Sequence, residues 1–323
     1  MSFFILASVR TAPPTEPPVS EDSRKIWLES SDGSLVVPVN GPIPARRVSL
    51  LNGFTGLEVA PSDLETSGTP GVEGTNLSSV YFPERDVLLP LSILGSDQTE
   101  MWALRQRIRD LTDPTPPTPA DPPRTFRIVA ESASGRRQLE VCYVSGLEGN
   151  ELGIPVYDRF VLQALAAQPF PEDREAVRRP FPLGTAEPFL SSSPGTDRPW
   201  GTRQLAPSTV IGEDMRVEMS SGRPFYPTIE LRGPATSATI TSSTGLSIHV
   251  PGAIAAGATL RIVTDPRHKS IRLDGALAAG RVARGSRFAP FRPGENLLDV
   301  TVPGATTQTL LTLEWRGRHR SMW

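Results

Sequence analysis

Proline and glycine punctuate this chain more heavily than any other feature marks it. Of 323 residues, 34 are Pro and 27 are Gly, nearly a fifth of the sequence, where average usage is about 12%. Proline removes a backbone donor and glycine weakens a regular element from within, so long uninterrupted helices are disfavoured and short strands joined by turns are favoured. The excess stops well short of disorder. Hydrophobic residues make up 38% and charged residues 21%, a balance that permits a buried core. The length is enough for two of them.

Charge and cysteine usage exclude several classes. A net charge of −2 gives no bulk attraction to nucleic acid or anionic lipid. The single cysteine, Cys142, rules out an internal disulfide framework and any multi-cysteine metal site. His249, His268 and His319 are too scattered for a histidine metal centre. The apolar start, residues 1–9, has no basic residue ahead of it and is too short to span a bilayer; no later stretch approaches about 20 apolar residues. A soluble protein of a reducing compartment is expected.

Along the chain, residues 11–20 carry four prolines in ten and read as an extended arm. Strands are expected at 25–29 and 35–39 around an Asp32-Gly33 turn, then at 48–51 and 56–59. Residues 62–79, rich in Ser, Thr, Gly and Pro, read as a long exposed loop or projecting hairpin tip. Strand character resumes at 80–94, with Pro83 and Pro90 favouring an edge or a bend. One helix is expected, residues 97–111. Asp97 and Glu100 form a capping box, Met101, Leu104, Ile108 and Leu111 fall on one face, and Arg105, Arg107 and Arg109 lie elsewhere. A proline run from Pro114 stops it.

A hairpin over 124–145 turns at Ser134-Gly135, and 156–166 reads as a strand, with a helix as the alternative. Residues 168–207 lose all periodicity. Beyond them come seven short strands near 228–233, 237–241, 246–250, 259–264, 271–273, 297–302 and 309–315. That rhythm, without helix signals, predicts an antiparallel sandwich. The expected organisation is an arm at 1–24, a β domain with one helix at 25–167, a connector at 168–206 and a sandwich at 207–323.

No phosphate-binding glycine loop, zinc-protease helix, calcium loop or serine-nucleophile elbow occurs. The carboxylate pairs Glu172-Asp173 and Glu213-Asp214 sit in loops and read as solvated rather than as a hydrolytic acid pair. Cys142 alternates within a strand and reads as a small buried hydrophobe. The basic cluster 315–320 reads as a solvated tail or a protein contact. No enzyme activity, cofactor or metal is expected.

Several segments, in order, resemble one family. Tyr226-Pro227 ahead of a short strand and Gly233, Ser243-Thr244-Gly245 before a hairpin, and Leu260 to Asp265 are similar to the C-terminal domain of siphophage distal tail proteins. So are Asp274-Gly275, Ser286 with Phe288, Pro293-Gly294 with Asn296, and the closing run to Trp315-Arg316. In the first half, the strand and helix over 91–111 and Phe160 through Pro169-Phe170 fit the same family. The Pro-rich arm and the long connector depart from its pattern.

That resemblance implies a mainly β chain: a tail-tube-like N-terminal domain with one helix, and a galectin-like or carbohydrate-module-like sandwich. It implies a structural virion protein, made in the host cytoplasm, forming a homohexameric ring at the tail tip. Its partners would be the tail tube protein and a tail-tip hub protein, with neither nucleic acid nor a membrane span. A hairpin of the first domain would reach the neighbouring subunit, which makes Thr69, Val72, Glu73, Asn76 and Arg85 the candidate contact residues. The alternative is a carbohydrate-binding module that contacts host-surface glycan.

Overall fold

Residues 24–40, 47–148, 156–182, 215–219 and 221–323 are described by the structure, a computed structural model. The arm at 11–20 and the pair Glu213-Asp214 lie outside these residues, as does most of the connector.

The first strands form where expected. β1 (Lys25–Ser30) and β2 (Val36–Asn40) pair around a turn in which Gly33 takes φ +77°. The Asp32 carboxylate accepts from the hydroxyls of Ser30 and Ser34 and from the Ser34 amide, which hold its pKa down to about 2. β3 (Val48–Leu50) follows. Residues 56–59 are not a strand but irregular chain at the surface, from which Leu57 alone is buried in the core. β4 (Asp63–Ser67) and β5 (Asn76–Tyr81) pair only with each other. The strand expected over 80–94 is therefore divided at residues 82–84: its start belongs to β5, its remainder to β6 (Arg85–Leu94).

Helix α1 (Gln98–Thr112) starts at Asp97, whose carboxylate accepts from the Glu100 amide at 2.8 Å. The Glu100 carboxylate returns the bond to the Ser96 amide at 2.6 Å, one residue earlier than the usual capping box. Met101, Ile108 and Leu111 are buried, and Leu104 is half-buried. Arg105 departs from the sequence reading. It is buried on the inner side, where it pairs with Asp158 at 2.9 Å and donates to the Leu147 carbonyl at 3.1 Å. A charged side chain can occupy such a place only because a carboxylate waits there.

β7 (Phe126–Ser132), β8 (Gly135–Gly146) and β9 (Tyr157–Ala166) complete the first sheet, ordered β2-β1-β7-β8-β9-β6-β3. Residues 156–166 are thus a strand, not a helix. β8 is long enough to serve two neighbours, β7 along its first half and β9 along its second. It ends at Gly146, at φ +102°, where a Cβ would sit 1.8 Å from the Val161 carbonyl. Cys142 differs from expectation: the core side of β8 is taken by Leu139 and Val141, leaving Cys142 half-buried on the opposite side. That partial burial pushes its thiol pKa up.

All seven strands expected after residue 207 form, and the described residues add two more there and two in the segment before it. β10 (Glu172–Asp173) is a short addition to β8, and β11 (Val177–Pro182) joins the sandwich, so the segment read as aperiodic contributes an element to each core. β12 (Met215–Met219), β13 (Thr228–Arg232), β14 (Ala238–Ser242) and β15 (Ser247–Val250) follow. The last are β16 (Thr259–Val263), β17 (Ser270–Leu273), β18 (Ala276–Leu277), β19 (Gly294–Thr301) and β20 (Leu310–Trp315). One layer runs β11-β20-β13-β16-β17-β18 and the other β12-β19-β14-β15. Ile229, Leu231, Leu260, Ile262, Leu311 and Leu313 from the first share a core with Val217, Ile240, Ile248, Leu298 and Val300 from the second. Asn296, fully buried, ties the turn before β19: its amide donates to the Arg292 carbonyl at 2.8 Å and accepts from the Arg292 amide at 2.9 Å.

Candidate functional site

The hairpin β4–β5 stands out because every residue in it is exposed. The register sets Leu64 opposite Val80 and Thr66 opposite Leu77. Leu64 and Thr66 share a face, and the register shift between Glu65 and Thr66 sets Leu77, three residues from Val80, opposite Thr66, so Leu64, Val80 and Leu77 form one apolar face. Their exposures are 56%, 52% and 68%. Tyr81 pairs with Asp63 on the other face, and a hydrogen bond to that carboxylate raises the phenol pKa. Within the tip, Gly71 and Gly74 take φ +82° and +89°. An isolated two-stranded hairpin is marginal in water.

Of the five candidate contact residues, Thr69, Val72 and Glu73 lie in the exposed tip and Asn76 opens β5. Arg85 does not join them. It is 1% exposed, and its guanidinium donates to the carbonyls of Gly56 (3.2 Å), Glu58 (3.4 Å) and Arg320 (3.0 Å). Burial drives its pKa down to about 10, and a side chain so enclosed cannot reach a neighbour. The apolar residues Leu64, Leu77 and Val80 were the missed signal. Their alternation is diluted by the surrounding Ser, Thr and Gly.

Arg85 belongs instead to a joint between the two cores. The chain crosses from the first sheet to the sandwich through residues 167–176 and returns through 316–323. The crossings run antiparallel: the Asp173 amide donates to the Gly317 carbonyl at 2.9 Å and the His319 amide to the Pro171 carbonyl at 2.9 Å. Arg318 bonds Glu172 at 3.1 Å and Asp265 at 3.0 Å, and His319 Nε2 lies 2.7 Å from Asp173. Arg316 reaches back to the carbonyls of Asp173 and Arg174, and Arg174 to Glu29 at 2.7 Å. Glu172 is thus ion-paired to Arg318 and Asp173 is in hydrogen-bond contact with His319, so the pair is engaged within the fold. The basic cluster 315–320 makes an internal protein contact.

Beyond the joint, the last residues enter the first core. Met322 is fully buried there, its amide donating to the Leu57 carbonyl at 3.0 Å. Trp323 meets Phe54 edge-on at 6.5 Å and bonds Glu58 at 2.6 Å. The hairpin is rooted in the same region: Arg223 stacks over Phe82 at 4.0 Å, just after β5, and over Phe170 at 4.4 Å.

Comparison with known proteins fits this architecture. Residues 221–319 match the sequence model of the family described as siphovirus-type tail component, C-terminal domain. The match spans the sandwich from β13 onward, without β11 and β12, and the start of the returning tail. Over the whole chain, the fold is similar to that of the Dit (gp 19.1) protein of phage SPP1, described as a paradigm of hub adsorption apparatus in phages infecting Gram-positive hosts. The TM-score is 0.57 at 14% identity, covering 90% of this chain and 98% of that one. A chain of the phage P2 baseplate in its activated conformation with calcium is similar at TM-score 0.50 and 9% identity, covering 90% of this chain and 97% of that one. No curated protein matches in sequence. The family match and the shared mainly β fold agree with the tail-component expectation.

Proposed function

We propose that the protein is a structural hub of a phage tail, a ring of six copies joining the end of the tail tube to the tip or baseplate that engages the host. The observation that carries this is the fully exposed β4–β5 hairpin, whose apolar face of Leu64, Leu77 and Val80 is open to solvent. Burying side chains of this kind is favourable by about 1.5–3 kcal/mol each. A hairpin that seats in a different patch of the next copy makes a head-to-tail contact, and such contacts close into a ring of six when each step turns by a sixth of a circle. The tail tube protein and a tail-tip hub are its partners, the virion its location, and assembly rather than catalysis its task. Its first unit, residues 25–167, forms the ring.

Native mass determination tests the reading. Six copies of the 34.9 kDa chain give roughly 210 kDa. Replacing residues 69–78 by a short Gly-Ser turn leaves the melting of the single chain nearly unchanged, because loop-closure entropy varies slowly with length. The same change, or Leu77→Asp, abolishes the ring. A ring that survives both moves the contact to another edge of the first sheet. A chain that stays monomeric even with tail tube protein present overturns the hub reading itself.

A further inference from the structure

We propose that Arg223, a residue of the sandwich, aims the β4–β5 hairpin, so that the hairpin's direction follows the sandwich. Neither strand of the hairpin pairs with the first sheet, and every residue of both strands is exposed. What sets its direction therefore acts at its base, in the residues just before β4 and just after β5.

Both legs of that base meet at one atom. Ahead of β4, the Ala60 amide donates to the Arg320 carbonyl at 3.0 Å; behind β5, the Arg85 guanidinium donates to the same carbonyl at 3.0 Å. Ties that converge on one oxygen fix where the base lies but leave it able to turn about that oxygen. A second hold is needed to fix the angle, and Phe82, the first residue after β5, supplies it. Arg223 lies 4.0 Å over the Phe82 ring and 4.4 Å over that of Phe170, and the two rings are 5.1 Å apart. A planar guanidinium suits such stacking better than an ammonium does.

Arg223 has no other task. No carboxylate pairs with it among the described residues, and its Nε is shielded from solvent without a hydrogen-bond partner. Burial first, and then the like charge of Arg320, push its pKa down. A cation kept where burial and a like charge both disfavour it is held by the two rings. Its main chain, by contrast, belongs to the sandwich. The Ser221 hydroxyl donates to its carbonyl at 3.0 Å, and two residues on, Phe225 and Phe291 exchange backbone bonds at 3.2 and 2.9 Å. A turn of the sandwich carries Arg223 with it, and through Phe82 the hairpin. Arg223 is thus a positioning residue: it touches the root of the hairpin and not the apolar face that a neighbour would meet. The inference concerns direction alone and does not depend on ring formation.

Pulsed EPR distances within the full chain test it. Spin labels at Val72→Cys in the tip and Leu277→Cys on the sandwich read the hairpin's direction; labels at Val36→Cys and Leu277→Cys read the first sheet against the sandwich. Both pairs are placed in a Cys142→Ser, Leu77→Asp background with unlabelled chain in excess, so that no neighbouring copy holds the hairpin or adds distances. The 72–277 distribution should at least double in width on Arg223→Ala, and equally on Phe82→Leu, while the 36–277 distribution stays unchanged. The double variant should be no wider than either single one, because both break the same contact. Should Arg223→Ala fail to fold, Phe82→Leu decides alone. A 72–277 width that ignores these changes, or that is already as broad in the parent, overturns the proposal. So does equal broadening of both pairs, which would make Arg223 part of the joint alone, and so does a double variant whose broadening is the sum of the two. Since the ring is absent by design from every arm, a failure here leaves the ring reading intact.

Discussion

Met322→Ala is the sharpest test of how the two cores are connected. Met322 follows the last sandwich strand by seven positions, yet its side chain is wholly buried in the first core with Leu57, Ile108 and Phe126. The substitution deletes three heavy atoms beyond Cβ. At about 0.8 kcal/mol per buried methylene-sized group, the transfer loss is about 2.4 kcal/mol. Incomplete collapse of the cavity brings the total to about 2–5 kcal/mol. The backbone bond from its amide to Leu57 is untouched, so the loss reports packing alone. Because two cores need not melt together, native-state hydrogen exchange is the right assay. Amides of β6 and β9 should lose protection by the full amount, while those of β13 and β16 stay within about 0.5 kcal/mol. Equal loss in both cores would show that they unfold as one unit. A loss below about 0.5 kcal/mol everywhere would show that the tail does not dock, and the joint described above would be wrong.

Other perturbations separate neighbouring readings. Ile108→Ala, at a fully buried site, should cost about 2–5 kcal/mol in denaturant unfolding, and Leu104→Ala, only half-buried, distinctly less; the reverse order would mean α1 is rotated on the sheet. A sandwich fragment starting at residue 176 should melt at higher temperature than one starting at 207, because only the longer piece carries β11, which covers the whole length of β20. Burial raises the pKa of Asp265, but hydrogen bonds from Arg267 and the charges of Arg267 and Arg318 outweigh it and leave the value at about 2. Unfolded, the same group titrates near 3.9. Its contribution is therefore complete above about pH 4 and is lost as pH falls toward 2. In thermal melts the gap between the parent and Asp265→Asn should be constant above pH 4 and close toward pH 2. A gap that widens on acidification would reverse the sign.

The rhythm of turns was legible because its chemistry is local. Asp32-Gly33, Ser134-Gly135 and Asp274-Gly275 each fix a hairpin from within a few residues. The capping residue Asp97 is equally local, as is the apolar spacing that makes α1 amphipathic. What stayed hidden depends on partners far away in sequence. Nothing around Arg105 signals that Asp158, 53 positions on, will neutralise it, and Arg85 is buried because the carbonyl of Arg320 returns to meet it. The strand character of 177–182 was masked by Pro180 and Pro182, which an edge strand tolerates. For the hairpin the tip was recognised, but its apolar face was not, since exposure of Leu64 and Leu77 is a property of the fold and not of the local pattern.

Two hydrogen-bonded crossings make a different joint from one. A single linker lets two units swivel, and relative motion is the default when little is shared between them. Here residues 171–173 and 317–319 pair antiparallel, Arg223 bridges to Arg318 beside them, and Arg174 continues the contact to Glu29. Swivelling would break several charge-assisted bonds at once, leave Arg318 without its carboxylates and pull Met322 from the core. Stranding one member of a buried pair costs about 3–5 kcal/mol. These contacts resist rotation of the sandwich relative to the first sheet. In a ring whose copies meet through the first unit, that rigidity carries the position of each hairpin contact through to where its sandwich points. The return of the tail is what converts two separately packed cores into one part of fixed shape.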